Sequence, residues 1–138
     1  MIPERFRGRE WGEVKYDETG KTKWNWMCTC VEGLEMGEYV DIGAFSYINA
    51  CEGVEIGDNV QIGSHCSIYS CNSIDGTSGR VVVKDRAKVG SHSVILPGIT
   101  VGEGAIVGAF SFVNRDVGAG EVVFGIPIKT RRFNAVQE

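Results

Sequence analysis

A six-residue beat constrains this chain more than any other feature. Counting from Val83, every sixth residue is aliphatic: Val83, Val89, Ile95, Val101, Val107 and Val113. Glycine follows three of them (Gly90, Gly102, Gly108), and a small residue stands four places on at Ala87, Ser93, Ala105 and Ser111. A helix repeats near 3.6 residues and a plain strand at 2, so neither sustains this spacing. Short strands joined by tight corners do, which makes the chain a β-solenoid. Each aliphatic residue points into the column, small side chains fill the rest of the narrow interior, and glycine is expected to supply positive φ at the corners.

The beat begins earlier, with Met36, Ile42 and Ile48, then Ile56, Ile62, Ile68 and Ile74, before Val83. Three strands complete one triangular turn, so these thirteen positions predict an all-β column a little over four turns tall. Two skips interrupt it. One surrounds Asn49-Ala-Cys-Glu52-Gly, the other Asp75-Gly-Thr-Ser-Gly79-Arg80. Insertions leave a solenoid as surface loops and often mark its binding face. Asn49 and Asp75 stand where the repeat calls for glycine, which makes Asn49, Glu52 and Asp75 candidates for chemistry. Counting Ile74 as an inward residue sets the expected corners. One column carries Asn49–Glu52, Ser70-Cys71, Ser91-His92 and Ala109-Phe110. A second carries Asp58-Asn59, the Asp75–Arg80 loop and Arg115-Asp116. His65 falls on the third corner, beneath Phe45.

Residues 1–29 lack the beat and read as a capping segment, with the solenoid and a C-terminal tail over 30–138. Val14–Tyr16 and Thr22–Trp26 flank Asp17-Glu-Thr-Gly20, the pattern of a β-hairpin. Trp11, Trp24 and Trp26 are expected to cover the open end of the column, with a base-stacking platform as the sharper alternative. No apolar run is long enough to cross a membrane, and Met1–Arg9 lacks a signal-peptide core. A net charge of −4 disfavours nucleic acid as a partner. Five cysteines without a CxxC pair argue against a disulfide framework and for a reducing, cytoplasmic setting.

Val89-Gly-Ser-His-Ser-Val-Ile-Leu-Pro-Gly-Ile-Thr-Val-Gly-Glu-Gly-Ala-Ile-Val-Gly-Ala-Phe-Ser-Phe-Val113, followed by Gly125-Ile-Pro127-Ile-Lys129, resembles the hexapeptide-repeat acyltransferases. Asp41–Asn49 and Val60–Tyr69 are similar to branches that acylate sugars, including nucleotide-linked amino sugars of surface polysaccharides. The resemblance implies a left-handed parallel β-helix, a homotrimer, and acetyl-CoA or another acyl-CoA held in a groove between subunits. It implies that Ser91, Gly108 and Ala109 bond the pantetheine arm, and that Lys129, Arg131 and Arg132 meet the phosphates. No metal is called for.

The histidine that such enzymes carry on a loop leaving the coil is absent from Asp75–Arg80, and the only imidazoles are His65 and His92. His65 is the candidate general base, with a pKa range suited to that role, and His92 is expected at a surface or interface. Asp75 could orient an amine and take its proton. A sugar hydroxyl would need a stronger base, so the pattern tilts toward N-acylation, with O-acetylation the near alternative. A γ-carbonic-anhydrase-like zinc hydratase needs three histidine ligands per site, more than the chain supplies. A non-catalytic scaffold is the remaining reading. Outward Phe45, Tyr47, Phe110 and Phe112 call for neighbouring copies to cover them.

Overall fold

In the computed structural model, which describes residues 12–133, the beat becomes a parallel β-helix of triangular section. The first face stacks Met27–Thr29, Tyr47–Asn49, Ser67–Tyr69, Val94–Ile95 and Phe112–Val113. The second stacks Leu34–Met36, Val54–Ile56, Val81–Val83 and Thr100–Val101. The third stacks Asp41–Ile42, Gln61–Ile62, Lys88–Val89, Ile106–Val107 and Glu121–Phe124. An antiparallel strand, Lys129–Phe133, covers the far edge of that third face, where an open strand would otherwise invite pairing.

Register sets like upon like. Cys28, Ile48, Ile68, Ile95 and Val113 form one internal column, and Ile42, Ile62, Val89, Val107 and Val123 another. Met36, Ile56, Val83 and Val101 form the third, which an isolated bridge extends to Val117. All are buried except Met36, which is partly so. Five levels at strand spacing give a prism roughly 20 Å tall.

The repeat glycines serve a different purpose from the one their position suggests. Positive φ belongs mostly to bulkier residues two places later, such as Tyr39, Phe45, Asn59, His65, His92 and Phe110. The glycines are needed where one coil lies on the next: a Cβ on Gly63 would stand 2.7 Å from the Ser91 nitrogen, and one on Gly90 would stand 2.8 Å from the Ala109 Cα. No side chain fits there.

Ile74 is the second correction. It is 92% exposed rather than inward, at the tip of an antiparallel hairpin formed by Cys71–Asn72 and Thr77–Ser78. Asn72 Oδ1 accepts from the Ile74 N–H and Asp75 Oδ1 from the Thr77 N–H, so turn chemistry outweighs one aliphatic side chain. The interior therefore passes straight from Ile68 to Val83. Every corner assignment after Ile68 moves by one face, and both insertions leave the column at the same corner.

At the N-terminal end the turn at Asp17–Gly20 forms as expected, with Gly20 N–H donating to the Asp17 carbonyl. Its second arm does not continue as a strand. Thr22–Trp26 closes another turn, because Met27–Thr29 is drawn into the first face. Trp26 is buried edge-on to Tyr16, Trp24 is half-buried, and Trp11 lies outside the described residues. Cys30 and Cys51, expected to be free thiols, are joined in a disulfide, their Cα atoms 5.0 Å apart. The corner after the first face brings successive coils together, so cysteines 21 residues apart in sequence become neighbours. Cysteine usage therefore no longer argues for a reducing compartment.

Candidate active site

The corner between the third face and the first carries both histidines in a stack of aromatic rings. Three residues beyond each inward residue of the third face lies a corner position: Phe45 after Ile42, His65 after Ile62, His92 after Val89, Phe110 after Val107. All four adopt positive φ, between 57° and 66°, which swings their side chains outward. The coils are one strand spacing apart, so the rings stack. Ring centroids lie 5.2 Å apart for Phe45 and His65, 4.6 Å for His65 and His92, and 4.8 Å for His92 and Phe110. The two imidazoles are parallel within 5°. Below them Asn25, also at positive φ, takes the same place, its carbonyl accepting from the Phe45 N–H. Above them Ile126 follows Val123 by the same offset and is 76% exposed.

Backbone bonds hold this ladder. The His65 N–H donates to the Ala44 carbonyl, His92 to Ser64 and Phe110 to Ser91. Inside the same corner Ser46, Cys66 and Ser93 donate to the carbonyls of Gly63, Gly90 and Gly108. Burial raises the Cys66 thiol above its ordinary pKa, which keeps it a donor and no nucleophile. Phe45 and Phe110 are 67% and 63% exposed, and Phe124 is exposed beside them. Together with Ile126 they account for every exposed large apolar side chain among the described residues except Ile74. An apolar, imidazole-bearing edge of this kind makes this corner the candidate binding surface.

Ser91, Gly108 and Ala109 lie on this corner, as does His65, which the sequence had set apart from them. Lys129 pairs with Phe124 at the upper end, and Arg131 follows on the same strand; both are exposed. The other candidates occupy the corner across the first face. Asn49 Oδ1 accepts from the Cys51 N–H and the Ser70 hydroxyl, so this side chain shapes the loop. Glu52 is exposed there, its N–H donating to Ser70 Oγ. Asp75 sits on the hairpin that leaves the same corner one coil higher. The Thr77 N–H and hydroxyl both bond its Oδ1 and hold its carboxyl below the usual carboxylate range, a poor setting for a strong base. A single chain thus unites His65 with Ser91 and Ala109 but separates them from Asn49, Glu52 and Asp75.

His92 is the residue that sequence reasoning undervalued, along with Asn25 and Ile126. The signal was present, since all keep the same offset from the third-face beat. The miscounted Ile74 hid it for His92, while Asn25 and Ile126 lie outside the span from Met36 to Val113 over which the beat was counted.

Comparisons with known proteins agree with this architecture. Residues 80–115 match the family described as bacterial transferase hexapeptide (six repeats). A 59-residue stretch is 44% identical to the 2,3,4,5-tetrahydropyridine-2,6-dicarboxylate N-acetyltransferase of Staphylococcus aureus, covering 42% of this chain and 25% of that protein. The chain thus spans about a quarter of the length of the curated relatives it matches. Among solved structures, a hexapeptide-repeat-containing acetyltransferase of Vibrio cholerae complexed with acetyl-CoA superposes with a TM-score of 0.76 at 26% identity, over 80% of this chain and 66% of that one. A galactoside acetyltransferase in complex with coenzyme A gives 0.73 at 25% identity, over 78% and 58%. The chain carries the hexapeptide repeat and the β-solenoid of these acetyltransferases.

Proposed function

We propose that this hexapeptide-repeat chain transfers an acyl group, acetyl in the simplest case, from acyl-CoA to the amino group of a nucleotide-linked sugar. The observation that carries the reading is the ladder corner, where both imidazoles of the chain stack between exposed phenylalanines beside Ser91, Gly108 and Ala109. A thioester lying along that edge would have its pantetheine arm against the main chain of Ser91, Gly108 and Ala109. Its phosphates would reach Lys129 and Arg131, since ammonium and guanidinium groups suit phosphate oxygens. The amine attacks the thioester carbonyl, its proton passes to His65, and the C–S bond breaks to release the CoA thiolate, which takes the proton back.

The acceptor side would come from a neighbouring copy. Repeating one corner-to-corner contact around a threefold axis would cover the exposed Phe45, Phe110, Phe124 and Ile126 and close a ring. The same contact would bring Asn49, Glu52 and the Asp75 hairpin of one copy toward the ladder of the next. In that setting Asp75 is better suited to hold an ammonium group than to deprotonate it. With acyl-CoA as donor we assign the reaction to the cytoplasm, where the Cys30–Cys51 disulfide would have to persist against reducing conditions.

Transfer to a sugar hydroxyl is the second reading. The paired imidazoles favour it, because a hydroxyl needs the stronger base arrangement. Thiol release from acetyl-CoA with amino- and hydroxy-sugars, each free and nucleotide-linked, separates the two. Release is expected with amines, and His65→Gln should slow it about a hundredfold or more. No release with any acceptor, or full turnover in His65→Gln, would contradict the proposal.

A further inference from the structure

The ladder corner ends, at its lower edge, in a cavity that the transfer reading leaves unused. Lys15, Tyr16, Asp17, Lys21, Thr22, Lys23 and Asn25 line about 500 Å³ of open space in the capping segment. Three lysines and one aspartate are among the lining residues, in a chain whose net charge is −4. That carboxylate is already engaged. Asp17 Oδ1 accepts from the Thr19 N–H at 2.8 Å, the Thr19 hydroxyl at 2.6 Å and the Lys21 N–H at 3.0 Å. Asp17 therefore fixes the turn that presents the lysines. The Lys23 ammonium lies 4.9 Å from the Trp24 ring centroid, which steadies its stem.

Position makes the cavity informative. Asn25 on its rim is the lowest member of the ladder, one level below Phe45 and two below His65. Two levels are roughly 10 Å at strand spacing. A pyranose with its anomeric phosphate bridges such a gap. Lys129 lies at the opposite end of the same corner, beside Phe124. The corner thus has a cationic group at each end and imidazoles between.

We propose that the Lys15–Lys21–Lys23 cavity binds the diphosphate of the acyl acceptor, so that acceptor and acyl-CoA approach the ladder from opposite ends. This rests on the transfer reading for the acceptor's identity, while the cavity's affinity for a diphosphate stands apart from it. Coenzyme A also carries a diphosphate, so the two sources must be told apart.

Titration calorimetry at low salt, with inorganic pyrophosphate, uridine diphosphate and coenzyme A as separate probes, makes that distinction. Wild type is compared with a Lys15→Gln/Lys21→Gln/Lys23→Gln variant and a Lys129→Gln/Arg131→Gln variant, each checked for an unchanged melting temperature. Pyrophosphate and uridine diphosphate should bind wild type and weaken about tenfold or more in the triple variant. Their binding should also weaken with added salt. Coenzyme A should lose affinity only in the Lys129/Arg131 variant. Uridine diphosphate binding untouched by the triple substitution overturns the proposal, as does a coenzyme A affinity that falls with the three lysines. Diphosphate binding without thiol release would sink the transfer reading and leave this site standing. Thiol release without diphosphate binding would do the reverse.

Discussion

His92 and His65 show how a corner residue can be chosen for its outward face at the expense of its backbone. Positive φ disfavours any residue with a Cβ, by roughly 1–2 kcal/mol in the left-handed region. Glycine would relieve that strain, and it holds the equivalent place on the neighbouring edge at Gly104 and Gly120, though Tyr39, Asn59 and Arg86 hold it lower on that edge. On the ladder Phe, His, His and Phe hold it instead. If these side chains serve binding, His92→Gly should leave the denaturation midpoint at or above that of wild type, whereas His92→Val should lower it, because the β-branch adds strain that histidine does not carry. Glu121 is the opposite case, a side chain kept for the fold. Burial pushes its carboxyl up, but the Thr130 hydroxyl, the Gly118 N–H and Arg115 together hold it below the usual carboxylate range. Because the folded value is depressed, its contribution is present above the ordinary carboxylate pKa and is lost as pH falls through the folded one. Glu121→Gln should be less stable than wild type at pH 7, and the gap should narrow toward pH 3 in denaturant titrations.

The Cys30–Cys51 disulfide and the Cys71–Ser78 hairpin are the two elements that depart from the regular coil, and both leave it at one corner. Cross-linking across 21 residues removes denatured-state entropy worth about 3 kcal/mol. Cys30→Ser, or reduction of the wild type, should lower stability by about that amount, read from the urea midpoint. A thiol titration of the folded, unreduced protein should find Cys30 and Cys51 unreactive. These elements also show what the chain made legible. The beat was visible because apolar burial repeats at fixed spacing, and Met36, Ile42, Ile48, Ile56, Ile62 and Ile68 all point inward as it required. Ile74 fitted the count and nothing else, because spacing alone does not distinguish an aliphatic peg from an aliphatic residue in an Asn-Ser-Ile-Asp-Gly turn. One miscounted residue rotated half the molecule by a face. That is why His65 was separated from Ser91 and Ala109, and why Asn49 and the Asp75 hairpin were assigned to different corners. The disulfide was hidden for a related reason, since cysteines pair by coil height and not by sequence motif.

At the scale of the whole molecule, the prism presents three unlike edges. One bears loops and a hairpin. Another is held by carboxylates, with Asp58 Oδ1 accepting from the Glu38 N–H, Asp85 Oδ1 from the Asp58 N–H, and Arg86 paired to Glu103. The third bears the stacked aromatic and imidazole rings with lysines at both ends. Among the described residues only this last edge combines exposed apolar surface, titratable side chains and cationic ends, and the proposed substrate binding and self-association both use it. Because the chain holds two histidines and both lie on that edge, their ring signals report on it without interference from other histidines. The most direct measurement is a carbon-13-resolved NMR titration of the two imidazole Cε1–H resonances with coenzyme A. Both signals should move together and saturate along one binding curve. Saturable binding that leaves both resonances unmoved would mean that the ladder is not where the co-substrate lies.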